Sequence, residues 1–159
     1  MSLSSPSLPN DEYFMAEALK EAQKAYEEGE VPIGAVIVKN DKIIARGYNR
    51  SITTHDPTAH AEIIAIREAC QEIENYRLLD TSLYVTLEPC MMCAGSFIHA
   101  RIKRVIYGAG DSRHGALNTQ IKLNEVAGFN HQIEITPHIL QKECQTLLKN
   151  FFKERRKKG

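Results

Sequence analysis

The chain has 159 residues (17.9 kDa), 43% hydrophobic and 25% charged, with a formal net charge of zero and a sequence pI of about 7.0. That balance describes a soluble globular protein able to bury about two-thirds of its unfolded surface, and no apolar run reaches the roughly 18 residues of a membrane span. It excludes a protein that holds nucleic acid by a global basic field; such a partner must meet a local patch, for which residues 153–159, KERRKKG, are the candidate.

Residues 1–10 are rich in Ser and Pro and are expected to be disordered, leaving 11–159 as a single domain. Phe14, Ala18, Ala22 and Ala25 recur at helical spacing over 11–28, and Gly29 ends that run. Residues 33–49 read as two apolar strands around Lys39-Asn40-Asp41-Lys42, a hairpin signal. After the loop RSITTHDPT, Pro57 suits a first helical position with Asp56 as its cap, and the helix runs to about Ile73. Residues 82–88, SLYVTLE, form a strand rich in β-branched and aromatic residues. After Pro89 comes a short helix, CMMCAGSFIHA, and a strand at 104–109 follows it. Residues 110–130 show little periodicity. HQIEIT is the last strand, and Pro137 is expected to open a long helix with an apolar stripe through Leu140, Cys144, Leu147, Leu148 and Phe151. The order α-β-β-α-β-α-β-β-α implies one mixed sheet with helices on its faces.

Two of the four cysteines stand in Glu88-Pro89-Cys90-Met91-Met92-Cys93. A start without the order of a signal peptide points to the cytoplasm, where paired cysteines serve metals or catalysis rather than structural disulfides. Taken alone the pair fits a redox couple, half a zinc site or chance. The other half lies upstream, where His60 is followed by Glu62. Positions i and i+2 diverge inside a helix, so the two can share a site only at its mouth. One imidazole and two thiols leave the fourth position of a tetrahedral zinc ion to water, whose pKa then falls to about 7. Glu62 is the carboxylate placed to move its proton. Met91 and Met92 read as core packing, Cys70 and Cys144 as buried on apolar helix faces. The remaining histidines (55, 99, 114, 131 and 138) show no ligand spacing.

His60-Ala61-Glu62 followed by Pro89-Cys90-Met91-Met92-Cys93 resembles the signature of zinc-dependent nucleobase deaminases, H-x-E then P-C-x-x-C. EVPIGAVIV, GYN, HDPTAHAEI, NYRL, LYVTLEPCMMCAG, IHARI and the terminal FF…RR are similar to bacterial tRNA adenosine deaminases over most of 12–156. The resemblance implies a three-layer α/β/α cytidine deaminase-like fold with a mixed five-stranded sheet. It further implies a homodimer with one Zn2+ per subunit, and conversion of wobble adenosine to inosine in a tRNA anticodon stem-loop, usually of an arginine tRNA with an ACG anticodon. His60, Cys90 and Cys93 would hold the metal and Glu62 would be catalytic. Asn49, which by itself reads as a turn residue, would bond the flipped base, in a pocket with Val31, Ala61 and the Leu87–Glu88 backbone. Asp111 would lie near the flanking nucleotide, and Phe152, Arg155 and Arg156, beside Phe151, would touch the anticodon loop. Without the resemblance, the basic run reads equally as a solvated helix end. The alternatives are a free nucleobase or nucleotide deaminase of guanine or cytosine type, and, in other classes, a structural zinc module or a disulfide redox protein.

Overall fold

Alternation along the first hairpin builds the core. The computed structural model describes residues 4–158; helix α1 is Asp11–Glu27, strand β1 is Gly34–Lys39 and strand β2 is Lys42–Tyr48. Asn40 and Asp41 both have positive φ (52° and 60°), the backbone a two-residue hairpin turn requires. In β1, Ala35 and Ile37 face one side of the sheet while Val36 and Val38 face the other. The chain continues through α2 (Ala61–Ile73), β3 (Ser82–Leu87), α3 (Met91–Ala100), β4 (Arg104–Ala109), a single 3-10 turn (Leu123–Glu125), β5 (Glu134–Thr136) and α4 (Gln141–Lys158).

These five strands form one sheet in the order β2-β1-β3-β4-β5, antiparallel as far as β3 and parallel between β3, β4 and β5. Helices α2 and α3 bury Ala61, Ala65, Ala69, Cys93, Ala94 and Phe97 against one face, with Ile37, Val85, Val105 and Tyr107 of the strands. On the other face α1 and α4 pack Phe14, Met15, Ala18 and Cys144 against Val36, Tyr84 and Ile106. The result is the expected three-layer α/β/α arrangement around a mixed five-stranded sheet. Among the described residues no helix is long and apolar enough to cross a membrane.

Of the segment expected to be disordered, residues 1–3 lie outside the described residues. Ser5 N–H donates to the Ile135 carbonyl at 2.6 Å and Arg104 reaches the Pro6 carbonyl, so the chain there follows the β5 edge. Arg104 grips both Asp11 oxygens at 2.8 and 2.7 Å, and the Tyr84 hydroxyl donates to Asp11 at 2.7 Å. This buried cluster bolts the first turn of α1 to β3 and β4.

Three expected boundaries are corrected. Helix α2 starts at Ala61 rather than Pro57, because the Asp56 side chain is spent on a tight turn, accepting the Thr58 N–H at 2.8 Å and its hydroxyl at 2.7 Å. Helix α3 follows Pro89 as expected but starts at Met91, with Cys90 as its N-cap rather than its first residue. Helix α4 starts at Gln141 instead of Pro137: His138 and Leu140 have positive φ, and Ile139 N–H is held by the Tyr107 carbonyl. The apolar stripe is also narrower than expected, since Leu147 faces an outer groove with Lys142 and Thr146. Met91 and Met92 are 68% and 38% exposed, not core: the first residues of α3 point away from the sheet while Cys93, Ala94 and Phe97 point in.

Candidate active site

Two helix N-termini meet at the end of β3. His60 is the N-cap of α2 in extended conformation (φ −77°, ψ 152°), and Glu62 is the second helical residue. Cys90 is the N-cap of α3 (φ −77°, ψ 176°), with Cys93 in its first turn. This resolves the i, i+2 problem: only Glu62 of the pair is inside a helix, while His60 turns from extended backbone. The α2 start comes close to β2 because Gly47 lacks a side chain; a Cβ there would stand 2.5 Å from the Ala61 carbonyl oxygen. Both helix dipoles present their positive ends to the site, which favours thiolates and a carboxylate there.

His60 Nδ1 lies 3.6 Å from Cys90 Sγ and 3.5 Å from Cys93 Sγ, and the three ligand atoms fall within 4.8 Å of one another. A tetrahedral zinc ion with Zn–S of about 2.3 Å and Zn–N of about 2.1 Å separates sulfur from nitrogen by about 3.6 Å. The donor set therefore fits zinc, and three ligands are the number that leaves a position open for chemistry. The Cys93 thiol and its burial partners act oppositely on the sulfurs. Hydrogen bonding from Cys93, outweighing desolvation and helped by His60, holds Cys90 down at about 4. Cys93, which donates to Cys90 and is buried beside Glu62, is pushed far above the usual thiol range. The pair thus retains one proton, the proton a divalent cation displaces. His60 is raised, first by its bond to Cys90 and against its own burial.

Glu62 is 4% exposed. Burial pushes its carboxyl up to about 7, with the nearby Cys90 charge adding and the α2 backbone and His60 opposing. A carboxyl near neutrality can both accept and return a proton.

A cavity of about 290 Å³ opens beside the triad, lined by His60, Glu62 and Cys90 together with Ile33, Leu87, Glu88, Asp111 and His114. Through Leu87, Asp111 and His114 it joins a groove of about 780 Å³. Val31, Arg113, Phe152, Arg155 and Arg156 line that outer groove. Val31 is thus in the groove rather than at the inner cavity, and Asn49 and Ala61 line neither. The Asn49 side-chain oxygen accepts the Ala61 N–H at 3.3 Å, which ties the end of β2 to the start of α2. Arg155 is engaged within the chain: it donates to the Gly29 carbonyl and stacks over Phe151 at 5.0 Å.

His114, Arg113 and Ile33 went unrecognised in the sequence. The first two sit in the aperiodic loop after β4, where no spacing could have singled them out. The Glu88 side chain was missed as well. It turns away from solvent into that loop, whose backbone N–H groups close around it.

An α/β/α sandwich with an open His-Cys-Cys metal site at two helix mouths, and a buried carboxylate beside it, defines a zinc-dependent hydrolytic deaminase. Residues 8–109 match the cytidine and deoxycytidylate deaminase zinc-binding region, well over half of the chain, and the chain belongs to that family. It is 49% identical over 147 residues to a tRNA-specific adenosine deaminase of Haemophilus influenzae, covering 92% of this chain and 85% of that protein. A structure from studies of A-to-I editing by tRNA A34 deaminases at the wobble position superposes with a TM-score of 0.83 at 43% identity, covering 86% of this chain and 99% of the other. A guanine deaminase from Bacillus subtilis is more distant: TM-score 0.60, 37% identity, 73% of this chain and 85% of the other.

Proposed function

We propose that this chain deaminates adenosine to inosine at the wobble position of a tRNA, with an arginine tRNA bearing an ACG anticodon as the expected substrate. One observation carries the reading: the base-sized cavity at the metal triad opens directly into a larger groove with two arginines and an exposed aromatic ring from α4 and a third arginine from the loop. A free base needs only the inner cavity. A nucleotide flipped out of an RNA loop needs, in addition, a surface for its neighbours' phosphates and bases. The names of the tRNA-specific relatives support the same substrate.

His60 Nδ1, Cys90 Sγ and Cys93 Sγ would hold a zinc ion, which when bound would lower the pKa of water to about 7 and so make hydroxide available at neutral pH. Glu62 would take one proton of the attacking water and deliver it to N1 of adenine as the hydroxyl adds to C6. It would then pass the proton of that C6 hydroxyl to the amino group, so that the C6–N bond breaks, ammonia leaves and inosine remains. The carboxyl is suited to both transfers because burial holds it near neutrality. Asn49, whose oxygen accepts the Ala61 N–H, steadies the mouth of α2 beside the base rather than lining the cavity itself. Ile33, Leu87 and Glu88 bound the ring, Val31 lies in the outer groove, and Asp111 sits where the pocket meets the groove and so faces the flanking nucleotide. Phe152 and Arg156 supply stacking and charge to the loop, with Arg155 holding α4 in place for them.

We read 11–159 as the deaminase unit, working as a cytoplasmic homodimer with one zinc per subunit. The exposed Met91 and Met92 on the outer side of α3 are the apolar surface that suits such an interface. Incubating the zinc-loaded protein with an anticodon stem-loop carrying wobble adenosine should yield inosine, while adenine, guanine and cytosine as free bases remain unchanged. Turnover of guanine or cytosine with no inosine in the stem-loop would overturn the reading.

A further inference from the structure

Glu88 immediately precedes the Pro89-Cys90 step, yet its carboxylate takes no part in the metal cluster. The residue is 2% exposed. Its Oε1 accepts the Asp111 N–H at 3.2 Å and the Thr119 hydroxyl at 2.5 Å; its Oε2 accepts the N–H groups of Leu117, Asn118 and Thr119 at 3.1, 2.9 and 3.1 Å. No Lys, Arg or His pairs with it among the described residues. A buried anion is thus compensated wholly by amide and hydroxyl donors converging from both ends of one loop.

That loop is the wall of the site. It carries Asp111 and His114 to the inner cavity and Ser112 and Arg113 to the groove. It has little regular structure of its own between β4 and the 3-10 turn. Besides the carboxylate, Ala116 N–H bonds the Pro89 carbonyl at 2.9 Å, and Glu88 N–H bonds the Ala109 carbonyl at 2.7 Å. The two residues that lead into Cys90, Glu88 and Pro89, therefore also hold the loop. Gly115 is required by space rather than by conformation: a Cβ there would stand 2.4 Å from the Glu88 carboxyl carbon.

We propose that Glu88 is a positioning residue for substrate, the anchor that closes residues 111–119 at their neck and presents them to the nucleotides flanking the target base. The inference rests on the tRNA deaminase reading for the identity of the substrate, but the anchoring itself does not. Every carboxylate oxygen of Glu88 is occupied by loop donors, so it supplies no proton and no ligand at the metal. Its loss should therefore separate substrate engagement from chemistry.

The test uses full-length zinc-loaded protein, Glu88→Gln and Thr119→Val, read by metal content, amide hydrogen exchange, and kcat and KM on the anticodon stem-loop. Glu88→Gln sets an amide N–H2 against backbone donors; it should keep its zinc, lose exchange protection at Leu117, Asn118 and Thr119, and raise KM about tenfold with kcat little changed. Thr119→Val removes one donor and should show the same pattern, smaller, which keeps the idea testable if Glu88→Gln does not fold. Unchanged exchange at 117–119, loss of zinc, or a fall in kcat at constant KM would each overturn the proposal. Wild-type protein that makes no inosine would instead sink the substrate assignment, and the exchange data would still decide the role of Glu88.

Discussion

Glu62 and His60, two positions apart, should fail in different ways. Glu62→Ala removes the proton carrier but no ligand, so elemental analysis should find zinc retained while inosine formation drops by about 10²–10⁴-fold. His60→Ala leaves two sulfurs alone and should lose the metal itself. A Glu62→Ala variant turning over at the wild-type rate would remove the carboxylate from the mechanism. At this scale the sequence was highly legible for the zinc triad, because His-x-Glu and Pro-Cys-x-x-Cys are dense, chemically unusual and close to helix starts. It was opaque for His114 and Arg113, which reach the site by a loop whose path is set by the distant Glu88. It misled for Met91 and Met92, since composition cannot say which way the first turn of a helix faces.

Secondary elements locate the chemistry, and two contacts between them can be broken. Gly47→Ala would drive a methyl into the Ala61 carbonyl and push the α2 mouth, with His60, off β2. Chelator competition should then show zinc affinity weakened about tenfold or more, and an affinity equal to wild type would show that the close approach is dispensable. The second contact is the Asp11–Arg104 pair, whose side chains are 1% and 5% exposed. Burial alone would raise the Asp11 pKa, but bonds from Arg104, the Leu8 N–H and Tyr84 outweigh it and leave the carboxyl below its ordinary value. A lowered folded pKa means the stability contribution is complete above the unfolded value and is lost as pH falls through the folded one. Asp11→Asn should thus cost about 3–5 kcal/mol at neutral pH by thermal or urea melts, with the gap to wild type narrowing below about pH 4. A gap independent of pH would show that the Asp11 charge contributes nothing. The strands along the chain and the hairpin turn were readable from alternation and Asn40-Asp41, whereas the order of the strands in the sheet came only with the structure. The starts of α2 and α4 were not, because an Asp56 turn and a Tyr107 carbonyl captured residues that would otherwise begin a helix.

Across the whole molecule, a neutral protein must bind a polyanion by placement of charge. Raising salt should weaken stem-loop binding with a log–log slope of about −0.7 per phosphate contact, and Arg156→Ala should reduce that slope by about one contact's worth. Arg155→Ala should do more than remove a charge, since its guanidinium ties α4 to the Gly29 carbonyl. A salt-independent KM would argue against a phosphate-lined groove. Similarly, Met91→Lys with Met92→Lys should shift sedimentation from dimer to monomer; a dimer unaffected by both charges would place the interface elsewhere.

Local chemistry and period gave, from the sequence alone, the zinc donor set, a candidate carboxylate beside it and a mixed sheet with helices on its faces, while the resemblance of its motifs supplied the α/β/α fold and the nucleobase deaminase class. These are carried by two short motifs, His60-Ala61-Glu62 and Pro89-Cys90-Met91-Met92-Cys93, and by local period. Only the tertiary structure decided that the base cavity continues into a basic groove, that Asn49 spends its oxygen on α2, and that Glu88 gathers a loop some thirty positions downstream. Such facts depend on which donors and acceptors are brought together when the sheet closes. Burial then makes each unpaired polar group costly enough that the chain settles into one arrangement.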